Sequence, residues 1–362
     1  MLLKKRIPII FFFKKIFKQL VIILILSLSI GFIHKLDFAK NLDVPFSITS
    51  LLGIAISILL AFRTNQAYDR WWEARKIWGA VVNDSRSLVR EIISFTELKT
   101  QDLHEANEKL KSQPLIRDNV LDYVDGHDTL EDFFKWQHKL SQPESDTKEE
   151  LEDFEVTEEM VKELKAHAIN NLTFKQITFC YLLGEHLRKL DSTETLAKYF
   201  SESEQKYFKA MDNKPNMVLL KLAQNIRVLK KTGTINFYQQ IQLEHTISQL
   251  TTHLGKCERI KNTPFPQTYS ILLHFLIYVF VAILPISLLN YTILEETLLS
   301  LTVSLMFFVI EKTSIAKEDP FENRPTDVSI TALAQTIERS LLEMIGRKDL
   351  IPEVNEPSYF VL

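Results

Sequence analysis

Four long apolar stretches, two near each end of the chain, constrain this sequence more than any other feature. Residues 16–33 read IFKQLVIILILSLSIGFI, and residues 46–62 read FSITSLLGIAISILLAF. Two more run over about 269–289 and 298–310, the last extending back towards Thr292. A helix needs about 20 largely apolar residues to cross a bilayer, and inside it every backbone N–H and C=O must be bonded internally. The chain therefore reads as all-α and integral to a membrane, with four transmembrane helices. A secretory signal also begins with basic residues and an apolar core. Against it, no small-residue cleavage site follows the first stretch, and a second span arrives within a few residues.

Lysine and arginine in the short flanks set the expected orientation. Lys4, Lys5, Arg6, Lys14, Lys15 and Lys18 surround the start of the first span, and Arg63, Arg70, Arg75 and Lys76 follow the second. The loops joining spans one to two and three to four carry little positive charge. This asymmetry places residues 1–15, 63–264 and 311–362 in the cytoplasm, with 16–62 and 269–310 in the plasma (inner) membrane. The region 63–264 has few Gly or Pro and keeps a helical apolar period through residues 174–190 and 217–229, so it reads as a helical domain. Residues 99–163 differ. Acidic and amide residues dominate there, punctuated by Pro114, Gly126 and Pro143, which describes a solvated insertion or an acidic lining that concentrates cations near a pore.

Several function classes are poorly supported. The net charge of −3 argues against a nucleic-acid partner, which needs clustered Lys and Arg. Cys180 and Cys257, the only cysteines, have no metal-ligand or redox spacing and read as free thiols. No HExxH, GxSxG, Walker or GxGxxG pattern occurs, and 8 glycines leave little for phosphate-cradling loops, so no enzyme, metal or cofactor is expected. Most histidines are dispersed. His274 lies inside the third span, where one interhelical hydrogen bond would account for it, and Pro285 kinks that span or marks its end.

In the second span Ser47, Ser50, Ser57 and Ala61 share a face with Ile54, at three- and four-residue steps. Small polar stripes border water or close helix contacts and suit lipid poorly. Beside them run Ile54, Ile58 and Phe62, four residues apart, which a rise of about 1.5 Å per residue stacks as layers about 6 Å apart. If several copies surround one axis, each layer becomes an apolar ring that can gate by dewetting; in one copy the same residues could simply face lipid.

The string that follows, RTNQAYDRWWEARKIWG at 63–79, puts Arg63, Arg70, Arg75 and Lys76 among three tryptophans and a tyrosine. Such residues anchor at the headgroup level, where guanidiniums stack on rings or meet lipid phosphate. This string, with Arg70, Trp71 and Trp72, resembles the bestrophin family. EDPFENRPTDVSITALAQTIERSLLEM at 318–344 is similar to the segment that follows the last span in bacterial bestrophins, through Asp319-Pro320-Phe321, Asp327 and Ile337-Glu338. The order of spans agrees as well, whereas the insertion at 99–163 has no counterpart.

The resemblance implies a pore-forming homopentamer whose neck is lined by Ile54, Ile58 and Phe62, with Arg63, Arg70, Trp71, Trp72 and Arg75 as the interface motif. It implies a second constriction near Tyr238 and Ile241. Eukaryotic bestrophins hold calcium on consecutive acidic residues after the Pro-Phe; here Glu322-Asn323-Arg324-Pro325-Thr326 stands there, so calcium gating is not expected. An apolar neck selects mainly by dehydration, which favours chloride and other monovalent anions. Asp37, Asp43, Glu295 and Glu296 would favour cations if they faced the pore, so a cation-selective homologue stays open. So does a membrane-anchored scaffold or sensor, for which oligomeric state is the discriminator. The expected partners are the chain itself, lipid and permeating monovalent ions.

Overall fold

The computed structural model describes residues 9–33, 44–96, 158–231, 233–322 and 324–351, with side chains from 16 onward and, after the central gap, from 165 onward. The expectations that rest on Asp37, Asp43, Asn323 and most of the acidic insertion lie outside these residues. The described chain is helical, with no strand. In chain order come α1 (Ile9–Ile33), α2 (Phe46–Phe95), α3 (Glu158–Arg188), α4 (Thr193–Tyr199) and α5 (Glu202–Lys209). Then follow α6 (Lys214–Lys231), α7 (Phe237–Asn262), α8 (Gln267–Ser287), α9 (Ile293–Glu318) and α10 (Ile330–Met344). Four of them, α1, α2, α8 and α9, contain stretches long and apolar enough to cross a membrane.

The chain divides into two units, and α2 and α7 each contribute residues to both. The first comprises residues up to 77 and 257–329. Its core joins Ile16 and Ile23 of α1, Ile56 and Leu60 of α2, Leu273, Ile277, Phe280 and Leu284 of α8, and Phe308 of α9. Lipid tails are as apolar as these side chains, so close packing and interhelical hydrogen bonds hold such helices together. Gly53 is one such close approach, because a Cβ there would stand 3.2 Å from the Phe280 ring. Tyr269 on α8 adds a polar tie by donating its hydroxyl to the Leu59 carbonyl oxygen at 2.7 Å. Pro285 ends α8 rather than kinking its middle; the helix stops at Ser287, and the Leu288 N–H reaches back to the Pro285 carbonyl.

The fourth span is longer than the expected 298–310. α9 begins at Ile293 because Thr292 and Glu295 form a capping box, which satisfies orphan N–H groups of the first turn. It runs on to Glu318 because charged residues from Glu311 onward find partners within the unit.

The second unit comprises residues 78–256 and 330–355. α3 is its central helix, packed on α6, α10 and α4. Trp78, Leu88 and Ile92 of α2, Leu172 and Phe179 of α3, Phe208 of α5, Leu222 of α6 and Leu341 of α10 are all buried. α5 starts with a second capping box, Ser201 with Glu204. α10 ends at Gly346, whose φ of 76° admits the left-handed turn. There the Arg347 N–H bonds the Leu342 carbonyl and the Gly346 N–H bonds the Glu343 carbonyl, which closes the helix and sets the direction of residue 347.

Candidate functional site

Along its membrane segment α2 has two unlike faces. Thr49, Ile56, Leu60 and Arg63 are buried within the first unit. The opposite side has no cover from the described residues: Ile54 is 60% exposed, Ile58 53% and Phe62 59%. Ser47, Ser57 and Ala61 are exposed on the same side, while Ser50 is half-buried. Ser57 donates to the Gly53 carbonyl at 2.8 Å, so its hydroxyl is satisfied by its own helix. The structure thus brings the three apolar layers together on one free stripe.

The interface motif divides differently from its sequence reading. Arg63 is turned inward within the first unit, 2% exposed. Its Nε donates to Glu318 Oε1 at 2.7 Å, its Nη2 to Ser270 Oγ at 3.1 Å, and it lies over the Phe265 ring. Arg70 donates from Nε to the Glu318 carbonyl and from Nη2 to the Ile260 carbonyl, both at 2.8 Å. Arg70 thereby clamps the ends of α9 and α7 to α2, because carbonyls at helix ends lack partners within the helix, while Arg63 ties α2 to the Glu318 side chain and to α8. The rings of Tyr68, Trp71 and Trp72 stack on one another instead, with centroids 6.1–6.5 Å apart. Lys317 rather than an arginine lies over Tyr68. Trp72 is exposed, and Trp71 and Arg75 are half-buried.

Three carboxylates of the spans that sequence reading had left open or passed over are engaged inside the first unit. Glu295 serves the capping box. Glu296 is 1% exposed and accepts the Ser27 hydroxyl at 3.1 Å. Glu311, read from sequence as lying just past the fourth span, is wholly buried with Oε1 2.7 Å from His274 Nδ1 and Oε2 3.5 Å from Lys312 Nζ. His274 therefore has the single interhelical bond that its position called for.

After α9, the carboxylates Asp319, Glu322 and Asp327 all have partners. The Lys261 ammonium donates to Asp319 Oδ2 at 2.8 Å and to Glu322 as well. Asp319 Oδ1 accepts the Phe321 N–H at 3.2 Å, and Asp327 accepts the Arg324 N–H at 2.9 Å. Lys261 holds the Glu322 carboxyl below the usual carboxylate range, whereas burial raises that of Asp327. Among the described residues no group of His, Cys, Asp or Glu is placed to hold a metal ion.

In the second unit Tyr238 is 81% exposed and Ile241 51%, both at the start of α7. Glu338, legible in sequence only as part of a motif, is wholly buried on α10. It accepts the Tyr181 hydroxyl at 2.6 Å, the Tyr199 hydroxyl and the Lys198 ammonium. Burial and this carboxylate push both phenols well above the ordinary tyrosine value, so they stay donors. No sequence signal pairs these residues, which come from three helices.

Known proteins align with most of the chain. A family model described as Bacterial/Fungal Bestrophin protein matches residues 11–120 and 152–343. The voltage-dependent anion channel-forming protein YneE of Salmonella typhimurium is 26% identical over 338 residues, which cover 93% of this chain and 88% of that protein. The protein of the same description from Ralstonia nicotianae, RSc3414, is 24% identical over 319 residues, 88% of this chain and 82% of its own. Among solved structures, a bacterial bestrophin homologue from Klebsiella pneumoniae superposes with a TM-score of 0.69 at 24% identity, covering 92% of this chain and 99% of that one.

Proposed function

The chain belongs to the bacterial and fungal bestrophin family, and from that premise we propose that it forms an anion channel, as a homopentamer around one central pore. The observation that carries this reading is the free stripe of α2. Ile54, Ile58 and Phe62 are each more than half exposed in a single chain, on a helix whose other face is packed. Exposed apolar residues inside a span are ordinary lipid-facing surface. Serines on the same side are not, and a ring of copies gives both a place, with three apolar layers closing the neck and small polar residues beside them.

Selection by an apolar neck rests on dehydration, which chloride and other large monovalent anions undergo more readily than small hard cations. Two of the four carboxylates that would oppose this, Glu295 and Glu296, lie among the described residues. Glu296 is buried against Ser27, and Glu295 is tied to Thr292 in the capping box of α9. Two relatives that align over most of their length carry the description anion channel-forming. Tyr238 and Ile241, exposed at the start of α7, are proposed as a second constriction. Residues 16–62 and 269–310 would lie in the plasma membrane, with 1–15, 63–264 and 311–362 in the cytoplasm. The Lys261 bridge across Asp319 and Glu322 supports gating without calcium, since the tethered ammonium already neutralises the carboxylates a hard cation would need.

The test is single-channel recording of the triple substitution Ile54→Ala, Ile58→Ala, Phe62→Ala beside the native chain, with oligomeric state measured in parallel. A wider neck should raise unitary conductance in an assembled oligomer. Unchanged conductance would remove these residues from the narrow point, and a monomer in lipid would remove the pore.

A further inference from the structure

The second unit carries an open pocket of about 300 Å³, lined by Phe174, Lys198, Tyr199, Phe200, Arg347 and Leu350. Its walls come from three places: Phe174 on α3, the end of α4, and the chain just past α10. The apolar walls are braced. Phe174 stacks on Tyr199 with centroids 5.0 Å apart, and Phe200 stacks on Phe208 at 4.9 Å. Two cations share the lining. Arg347 is aimed by the left-handed turn at Gly346 and held by Asp349, which accepts from Nε at 3.0 Å and Nη2 at 2.9 Å. The other terminal nitrogen, Nη1, keeps its donors. Lys198 gives one donor to Glu338, and its side chain stays 44% exposed.

The acidic groups nearby are already occupied. Glu338 is fully buried and retains the Tyr181 and Tyr199 hydroxyls whether or not Lys198 stays. Asp349 is 60% exposed and turned to the guanidinium. The lining therefore pairs aromatic faces with two cationic donors, in a volume at the small end of ligand pockets, which run from about 300 to 1,000 Å³. A bare inorganic anion would leave the apolar part of the lining uncovered.

We propose that this pocket is a binding site for a small amphipathic anion: a carboxylate or phosphate monoester on one flat apolar ring, the anionic group held by Lys198 and Arg347 and the ring by Phe174 and Phe200. Arginine suits this task because its planar donors match carboxylate and phosphate geometry. The site is independent of whether the chain conducts ions, so its test uses binding and not current.

Benzoate, phenyl phosphate and the neutral benzyl alcohol would be titrated into the full chain in lipid nanodiscs, followed by ligand-observed NMR against empty nanodiscs. The expected result is saturable binding of benzoate or phenyl phosphate, the tighter of the two identifying the head group. Benzyl alcohol and the Arg347→Ala variant should each bind at least about tenfold more weakly. Lys198→Met gives a second reading on a protein whose thermal unfolding is checked alongside, and Arg347→Ala, at an exposed turn, carries the test if that variant unfolds. Absence of saturable binding by both anions would overturn the site, as would equal binding of benzyl alcohol or an undiminished Arg347→Ala.

Discussion

Replacing Arg63 by methionine should destabilise the first unit by about 3–5 kcal/mol, the usual cost of leaving one partner of a buried ion pair alone. The pair is close, with Nε 2.7 Å from Glu318 Oε1 and side chains 3% and 17% exposed. At an effective dielectric of about 20 and a charge separation of about 4 Å, the Coulomb attraction is about 4 kcal/mol. Water that reaches Glu318 reduces what is lost, and the contact of Arg63 with the Phe265 ring adds about 0.5–1 kcal/mol to it. The Arg70 clamp on the Glu318 carbonyl survives, because it uses main chain. The double variant Arg63→Met, Glu318→Gln should therefore recover about 2 kcal/mol of the single loss, since no unpaired charge remains buried. Equilibrium unfolding in mixed micelles, followed by tryptophan fluorescence, reads both numbers. A single variant within about 0.5 kcal/mol of the native chain would refute the reasoning, as would strictly additive single losses.

Three further outcomes follow from other contacts. Gly184→Ala would place a Cβ 2.8 Å from Ile330 Cγ2 and should cost about 1–3 kcal/mol in thermal unfolding; an unchanged unfolding midpoint would contradict that close approach. Glu322 sits below its ordinary value of 4.5 chiefly through Lys261, so its contribution to stability is present above that value and is lost as pH falls through the folded one. Lys261→Met should remove that share of the acid sensitivity, and parallel loss of stability in both proteins between neutral and acid pH would contradict it. Burial pushes the Cys180 and Cys257 thiols up to about 12, so a maleimide at neutral pH should label them only on unfolding; rapid labelling of the folded chain would show the burial to be wrong.

The spans and the helical character of the chain were legible because apolar length and the scarcity of Gly and Pro are local properties. The α2 stripe was legible for the same reason, since three- and four-residue steps fix which side chains share a face. What sequence reading missed were polar partners far apart in the chain. Glu311 follows an apolar run and read as lying beyond the fourth span, yet it is buried because His274 of α8 meets it. Arg63 and Arg70 read as headgroup anchors, since Arg beside Trp suits an interface. Their carbonyl and carboxylate partners lie some 190 or more positions away, and no periodicity reports them. Glu338 and Lys261 are ordinary charges in helical sequence until α4 and the segment after α9 are placed against them.

Conduction of anions is read from the reversal potential of the purified protein in a planar bilayer under an asymmetric KCl gradient. An anion-selective pore gives a value near the chloride equilibrium potential. A value near that of potassium would contradict it and give the selection of cations to groups outside the apolar neck.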